Sequence, residues 1–212
     1  MAFVECSGIS KFYGGVKPAL KNVDFSAEGG ITVLIGDNGA GKTTLLKVLA
    51  TLIPPDGGSY TLGGLDAVKK ATQARASLGY LGHDSMLDRA LTVRENLTLF
   101  ARLYGMPDAT ARADELIERF AADAFADNLC GELSRGQEQT SALCRVLVHR
   151  PRLLLMDEPS TALDLAARDR LWAALRAEAD SGTTVIFSTH DHDSAHSVSD
   201  RVVTMSAGGI VA

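Results

Sequence analysis

Gly36, Gly41, Lys42 and Thr43 stand at the spacing G-x-x-x-x-G-K-S/T, a pattern suited to holding nucleotide phosphates. Glycine lets the backbone turn N–H groups inward onto phosphate oxygens, and a helix starting there adds the positive end of its dipole. Lys42 is expected to reach the β- and γ-phosphates and the Thr43 hydroxyl to ligate Mg²⁺. Asn38, Gly39, Ala40 and Thr44 complete the nucleotide-binding loop. Asp157 closes the apolar run Leu153–Met156, so it can hold Mg²⁺ at the C-terminal edge of a strand. Glu158 follows at once and points differently, as suits a carboxylate that orients or deprotonates an attacking water. His190, after Phe187-Ser188-Thr189, can hydrogen-bond the γ-phosphate and hold Glu158 and the water in place. Taken singly, the acidic pair fits a solvated strand end and the histidine a structural side chain; the glycine-rich loop upstream decides for the functional reading.

These groups need a scaffold that brings several strand ends together. Ile31–Ile35 runs into the glycine-rich turn and then into a predicted helix at Lys42–Ala50. Leu153–Met156 is a short continuous apolar run, consistent with a strand buried on both faces. Thr183–Ser188 is a third run, rich in β-branched residues, and Leu165–Asp180 between the last two reads as a helix ending near Gly182. The alternation predicts an α/β fold with a parallel sheet. Residues before Ile31 alternate weakly, as in an antiparallel sheet with one wet face. Residues 84–150 look mainly helical. Thr92-Val93-Arg94-Glu95 is a capping box opening an apolar stripe of Val93, Leu97, Phe100 and Tyr104. Further helices are expected at Asp108–Ala122 and after Ser134 to about His149.

At 212 residues the chain has room for one well-buried domain with a subdomain. Hydrophobic residues make up 46% and charged residues 22%, an ordinary globular balance. A formal charge of -5 with no Lys/Arg block gives nucleic acid no electrostatic footprint. No apolar run approaches the ~18 residues needed to span a bilayer, and the first residues lack a signal peptide's basic and apolar regions. The expectation is a soluble, cytoplasmic chain without direct membrane insertion. Cys6, Cys130 and Cys144 are scattered, as free buried thiols would be. His190, His192 and His196 lack the acidic and further ligands of a metal site, and a surface helix is the simpler reading.

Leu133-Ser134-Arg135-Gly136-Gln137 resembles the LSGGQ signature of ABC (ATP-binding cassette) ATPases, and the other motifs follow that family's order over essentially the whole chain. The resemblance makes Tyr13 the aromatic that stacks on adenine. It sets the Q-loop at Tyr80–His83 and the D-loop at Ala162-Leu163-Asp164. It implies a P-loop NTPase (RecA-like) parallel-sheet core with an N-terminal antiparallel β subdomain and an inserted α-helical subdomain. Residues 1–212 would form one ABC ATPase domain, with about 1–83 and 151–212 as nucleotide-binding core and about 84–150 as the helical part carrying the signature.

In the family Ser134, Gly136 and Gln137 would close on the ATP of the opposite subunit, so the resemblance implies an ATP-driven dimer, a homodimer by expectation. Its other implied partners are transmembrane permease subunits that would hold the chain on the inner face of the cell membrane. Three positions depart from the pattern: His83 replaces the Gln that contacts the metal, Arg135 the first signature glycine, and Thr140 a common arginine. Gly82-His83, Leu91–Asn96 and Leu133–Gly136 are similar to the ATP-binding subunit of the haem exporter of cytochrome c biogenesis. The ATPase of another small exporter, of drugs or polysaccharides, is the alternative; a non-transport ABC ATPase or a non-hydrolysing nucleotide module fits less well.

Overall fold

The computed structural model describes residues 2–14, 17–191 and 196–211, without the side chain of Lys17; His192 therefore lies outside the described residues. The chain divides into two compact units. The first comprises Met1–Tyr80, Arg152–Glu158 and Leu175–Ala212, and the second Leu81–Pro151 and Pro159–Ala174.

The first unit contains two sheets. In the antiparallel one, β1 (Val4–Tyr13) lies between β2 (Lys17–Ala27) and β4 (Gly57–Leu62), with the short β5 (Leu65–Asp66) outside β4. Burial alternates along the first half of β1, as one wet face requires. The other sheet takes β3 (Ile31–Ile35), β6 (Leu78–Leu81), β7 (Leu153–Asp157), β8 (Thr184–Ser188), β9 (Arg201–Ser206) and β10 (Gly209–Val211) in the order β10-β9-β3-β8-β7-β6. β8 pairs parallel with both β3 and β7, β9 pairs parallel with β3, and β10 closes one edge antiparallel to β9.

Every residue of β3, β7 and β8 is buried, which is why these strands read as unbroken apolar runs. α1 (Lys42–Leu49) covers the sheet with Leu45, Leu46 and Leu49, and these share one core with Val4, Ile9, Leu20, Leu155 and Ile186. Each such side chain contributes about 1.5–3 kcal/mol by leaving water. α2 (Ala71–Arg75) is a single turn.

The second unit is built on α3 (Val93–Leu103), α4 (Ala109–Arg119) and α5 (Arg135–Leu147). Its helices begin where polar side chains cap them. Thr92 and Glu95 form a reciprocal capping box on α3, and the Asp108 carboxylate accepts from Ala111 N at 3.0 Å on α4. Arg112, buried, donates to Leu147 O and Val148 O at 2.6 and 3.0 Å and so satisfies carbonyls at the end of α5. Val93, Leu97, Ala113, Leu116, Ile117 and Leu143 form the apolar interior. Asn96, fully buried, accepts from Asp88 N at 2.8 Å and donates to Asp88 O at 2.9 Å, pinning the approach to α3. The α3 stripe ends earlier than its sequence suggests: Val93 and Leu97 are buried, but Tyr104 is exposed, as are Leu99 and Leu103. α6 (Leu165–Asp180) is divided between the units after Ala174.

Cys6, Cys130 and Cys144 are free and buried. Burial pushes the Cys6 and Cys144 thiols up to about 12. Among the described residues no helix is long and apolar enough to cross a membrane.

Candidate functional site

Because β8 lies between β3 and β7 and runs parallel to both, their C-terminal ends share one edge. That edge carries the loop from Gly36 to Thr44, the Asp157–Glu158 pair and His190. Gly36 has φ +142°, and a Cβ there would lie 2.1 Å from Met205 O, so the loop can approach β9 this closely only as glycine. Gly41 precedes α1 with no side-chain cap, leaving the first N–H groups of the helix for an outside acceptor. Lys42 is buried and curls its ammonium into the loop, 2.5 Å from Gly36 O and 3.2 Å from Asp37 O.

Asp157 is 3% exposed, and its Oδ1 accepts from Ser188 Oγ at 2.6 Å. Tyr80, on the neighbouring β6, has its hydroxyl pushed up to about 12, first by burial and then by the Asp157 charge. Glu158 adopts a left-handed backbone, φ +54°, an uncommon conformation for a non-glycine residue that Thr51 and Ala162 share in this chain. Its N–H donates to Ser188 O at 3.2 Å and to Ser188 Oγ at 3.1 Å. The turn sends the Glu158 carboxylate away from that of Asp157 and toward His190. His190 N donates to Oε2 at 3.3 Å, and His190 Nε2 lies 3.1 Å from Oε1. Oε1 is buried and accepts no hydrogen bond among the described residues, so it keeps its accepting capacity. A carboxylate oxygen hidden from bulk water and beside an imidazole is equipped to take one proton from a single ordered water.

The residues present fit a nucleotide and a magnesium ion. The loop offers uncapped N–H groups and an ammonium, and the Thr43 hydroxyl makes no hydrogen bond among the described residues. Asp157 brings a buried carboxylate to the same edge, the hard oxygen donor that Mg²⁺ prefers. Among the described residues there is no group of three or more His, Cys, Asp or Glu that could hold a metal by itself.

Tyr13, at the end of β1, is 53% exposed and presents its ring from the antiparallel sheet. His83 is exposed and belongs to the second unit, whereas Thr43 and Asp157 belong to the first.

Within the second unit, Ser134, Gly136 and Gln137 gather at the start of α5. Ser134 and Gln137 form a capping box: Gln137 N donates to Ser134 Oγ at 3.3 Å, and Ser134 N to Gln137 Oε1 at 3.0 Å. A Cβ on Gly136 would stand 2.9 Å from Ala162 O, so glycine lets the Ala162–Asp164 turn lie against the helix start. Gln139 Nε2 donates to Pro159 O at 2.9 Å and ties the same two segments. Beside them is a cavity of about 380 Å³ lined by Ser134, Gly136, Gln137, Asp164 and Arg170 among others.

Sequence reasoning gave Ser188 no role, although it bridges both carboxylate-bearing residues. A serine ending a strand says little until its partner strand is known. The register that sets Asp157 opposite Ser188 supplies that knowledge.

The ABC transporter family matches residues 20–161. The daunorubicin resistance ATP-binding protein DrrA3 of Streptomyces coeruleorubidus is 38% identical over 99% of this chain and 67% of its own. The Nod factor export ATP-binding protein I of Burkholderia orbicola is 37% identical over 100% of this chain and 70% of its own. The chain thus spans about two thirds of the length of these curated relatives. Among solved structures, the dimeric post-hydrolysis state of the ATP-binding cassette MJ0796 bound to ADP and Pi superposes with a TM-score of 0.90 at 25% identity, over 99% of this chain and 97% of its own. Neither curated relative is named for haem. With its P-loop, RecA-like sheet and helical insertion, this chain belongs to the ABC transporter family as an ATP-binding domain.

Proposed function

We propose that the chain is the ATP-hydrolysing subunit of an exporter, driven by closure of two copies around ATP. The observation that carries the reading is the Glu158–His190 pair beside buried Asp157, at the edge that also bears the phosphate loop. Lys42 and the loop from Gly36 to Thr44 hold the phosphates, and Tyr13 stacks on adenine. Bound Mg²⁺, held by Thr43 and Asp157, would offset charge on the phosphates. Glu158 orients the attacking water and accepts its proton, and His190 keeps that carboxylate in place. His83 is assigned to the Q-loop position, where its imidazole reports on the metal site. Ser134, Gly136 and Gln137 close on the nucleotide of the second copy, which the dimeric state of MJ0796 supports as a mode of association. Residues 84–150 act as the helical part of a single ATPase domain.

A permease partner is favoured by apolar surface in the second unit. Leu103 is 71% exposed, and Leu99 lies one turn before it on the same face of α3. Met86 is also exposed and sits near this helix: Arg145 donates to Ser85 O at 2.9 Å and lies over the Phe100 ring. Such a patch invites an amphipathic helix, which would hold the chain on the inner membrane face. The cargo reading follows the relatives, whose names specify daunorubicin resistance and Nod factor export. It favours the alternative weighed from sequence, a drug or polysaccharide exporter, over a haem exporter.

The test is Glu158→Gln with saturating ATP on gel filtration, together with phosphate release from the unsubstituted chain. A trapped dimer and steady release by the native chain are expected. A variant that stays monomeric with ATP, or a native chain that binds ATP without releasing phosphate, would refute the reading.

A further inference from the structure

We infer that Asp56 is a positioning residue for the nucleotide base: its carboxylate stands in for a missing strand at the end of β1 and so fixes the backbone that carries Tyr13. The inference rests on the stacking of Tyr13 on adenine proposed above and supplies what holds that ring in place. β4 pairs with β1 only as far as Ser10, which lies opposite Gly57. The residue before Gly57 is Asp56, and its N–H donates to Ser10 O at 2.8 Å. Past Ser10 the Asp56 side chain takes over from the strand. Its Oδ2 accepts from Phe12 N at 2.7 Å and its Oδ1 from Lys11 Nζ at 3.0 Å. These contacts, the Phe12 amide first, hold the carboxyl below the usual carboxylate range, so at neutral pH it is a charged acceptor.

The strand end is otherwise weakly held among the described residues. Phe12 and Tyr13 are about half exposed, so core packing does not pin them. On the other edge the β1–β2 register shifts on both sides of Lys11, and Phe12 lies opposite Pro18, which has no N–H to give. Asp56 makes a firm anchor, because Pro54 and Pro55 restrict the backbone leading into it. A surface carboxylate that only paired with a lysine would contribute little; one that accepts a backbone N–H in place of a neighbouring strand sets where that backbone lies. Tyr13 follows Phe12 directly, so freedom at the Phe12 amide becomes freedom of the ring. A ring held in its stacking position before the base arrives has less ordering to undergo on binding. Asp56 acts through Tyr13, so its effect falls on base affinity and not on phosphate binding.

The experiment compares the β,γ-imido analogue of ATP, which is not hydrolysed, with inorganic triphosphate, which has no base. Dissociation constants are measured by equilibrium dialysis, at protein concentrations too low for association, for the native chain and for Asp56→Ala, Asp56→Asn, Tyr13→Ala and the Asp56→Ala/Tyr13→Ala double variant. Tyr13→Ala should weaken the nucleotide about tenfold or more and leave triphosphate unchanged. Asp56→Ala should weaken the nucleotide about fivefold, as loss of one hydrogen bond does, again with triphosphate unchanged. Asp56→Asn keeps an oxygen for the Phe12 N–H and should recover most of that loss. The double variant should bind no more weakly than Tyr13→Ala, because both changes act on one contact. Native affinity of Asp56→Ala for the nucleotide overturns the inference while leaving the stacking assignment intact. So does an equal loss of both ligands, as in a chain that no longer folds, or a loss that adds in full to that of Tyr13→Ala. Native affinity of Tyr13→Ala for the nucleotide overturns the stacking assignment itself, and this inference with it.

Discussion

α1 and α5 each start with a glycine-containing turn that faces a proposed phosphate, yet they treat their own polar groups in opposite ways. α1 has no side-chain cap, and among the described residues its Thr43 and Thr44 hydroxyls have no hydrogen-bond partner. α5 has a reciprocal cap, and Thr140 and Ser141 return their hydroxyls to Gly136 O and Gln137 O at 2.9 and 2.8 Å. The first helix leaves its leading N–H groups open to an outside acceptor. The second carries its own reciprocal cap before anything arrives. On the reading proposed above, the first is a site filled within one chain and the second a surface that meets another copy.

The largest effect that would sharpen the contrast lies on α1. Lys42→Ala should lower turnover by about a hundredfold or more, measured as phosphate release, while leaving the melting temperature nearly unchanged. A large fall in stability instead would mean that the ammonium serves the fold through Gly36 O. Ser188→Ala should come next, because it removes the bond to Asp157 and an acceptor for Glu158 N together. We expect turnover to fall by about tenfold or more with ATP affinity little altered; unchanged turnover would show that the strand end positions both carboxylates unaided.

Ser134→Ala probes the capped helix. It should cost about 1 kcal/mol of stability, a shift of about 2–4 °C in melting temperature, with nucleotide binding by the single chain unaffected. A shift below the error of calorimetry would mean the cap is redundant.

The smallest effect belongs at the other end of β3, away from the phosphate loop. Asp200 accepts from Ile31 N at 2.7 Å and from Arg176, which hold its carboxyl below the usual carboxylate range. A depressed folded-state value stabilises above the unfolded one, near pH 4, and this is lost as pH falls through the folded value. The side chain is half exposed, so screening keeps the contribution below about 1 kcal/mol. Asp200→Asn should flatten that part of the acid-side stability curve and leave turnover alone; an unchanged curve would remove Asp200 from the account.

The parts legible in sequence share one physical cause. Ile31–Ile35, Leu153–Met156 and Thr183–Ser188 could be read because two-sided burial demands unbroken apolar runs, and observed boundaries differ by a residue or less. Thr92 and Ser134 could be read because caps are local chemistry. β6 is only four residues long, and β9 near the sheet edge alternates buried with exposed positions, so neither stands out from a loop. At the site, the glycine loop is contiguous and announces itself. Ser188 matters only through a partner 31 residues away, and the Glu158–His190 contact spans 32; distances of that kind are fixed by sheet order, which a single sequence does not display.

The buried thiols bear on how these experiments can be done. A thiol raised to about 12 is ionised to about one part in 10⁵ at neutral pH, and the thiolate is the form that alkylates. Cys6 and Cys144 are in that condition, and burial raises Cys130 in the same direction. A single cysteine placed at an exposed position such as Arg135 or Leu103 should therefore take a maleimide dye selectively. Association of two labelled copies could then be followed by energy transfer, with the native cysteines left in place.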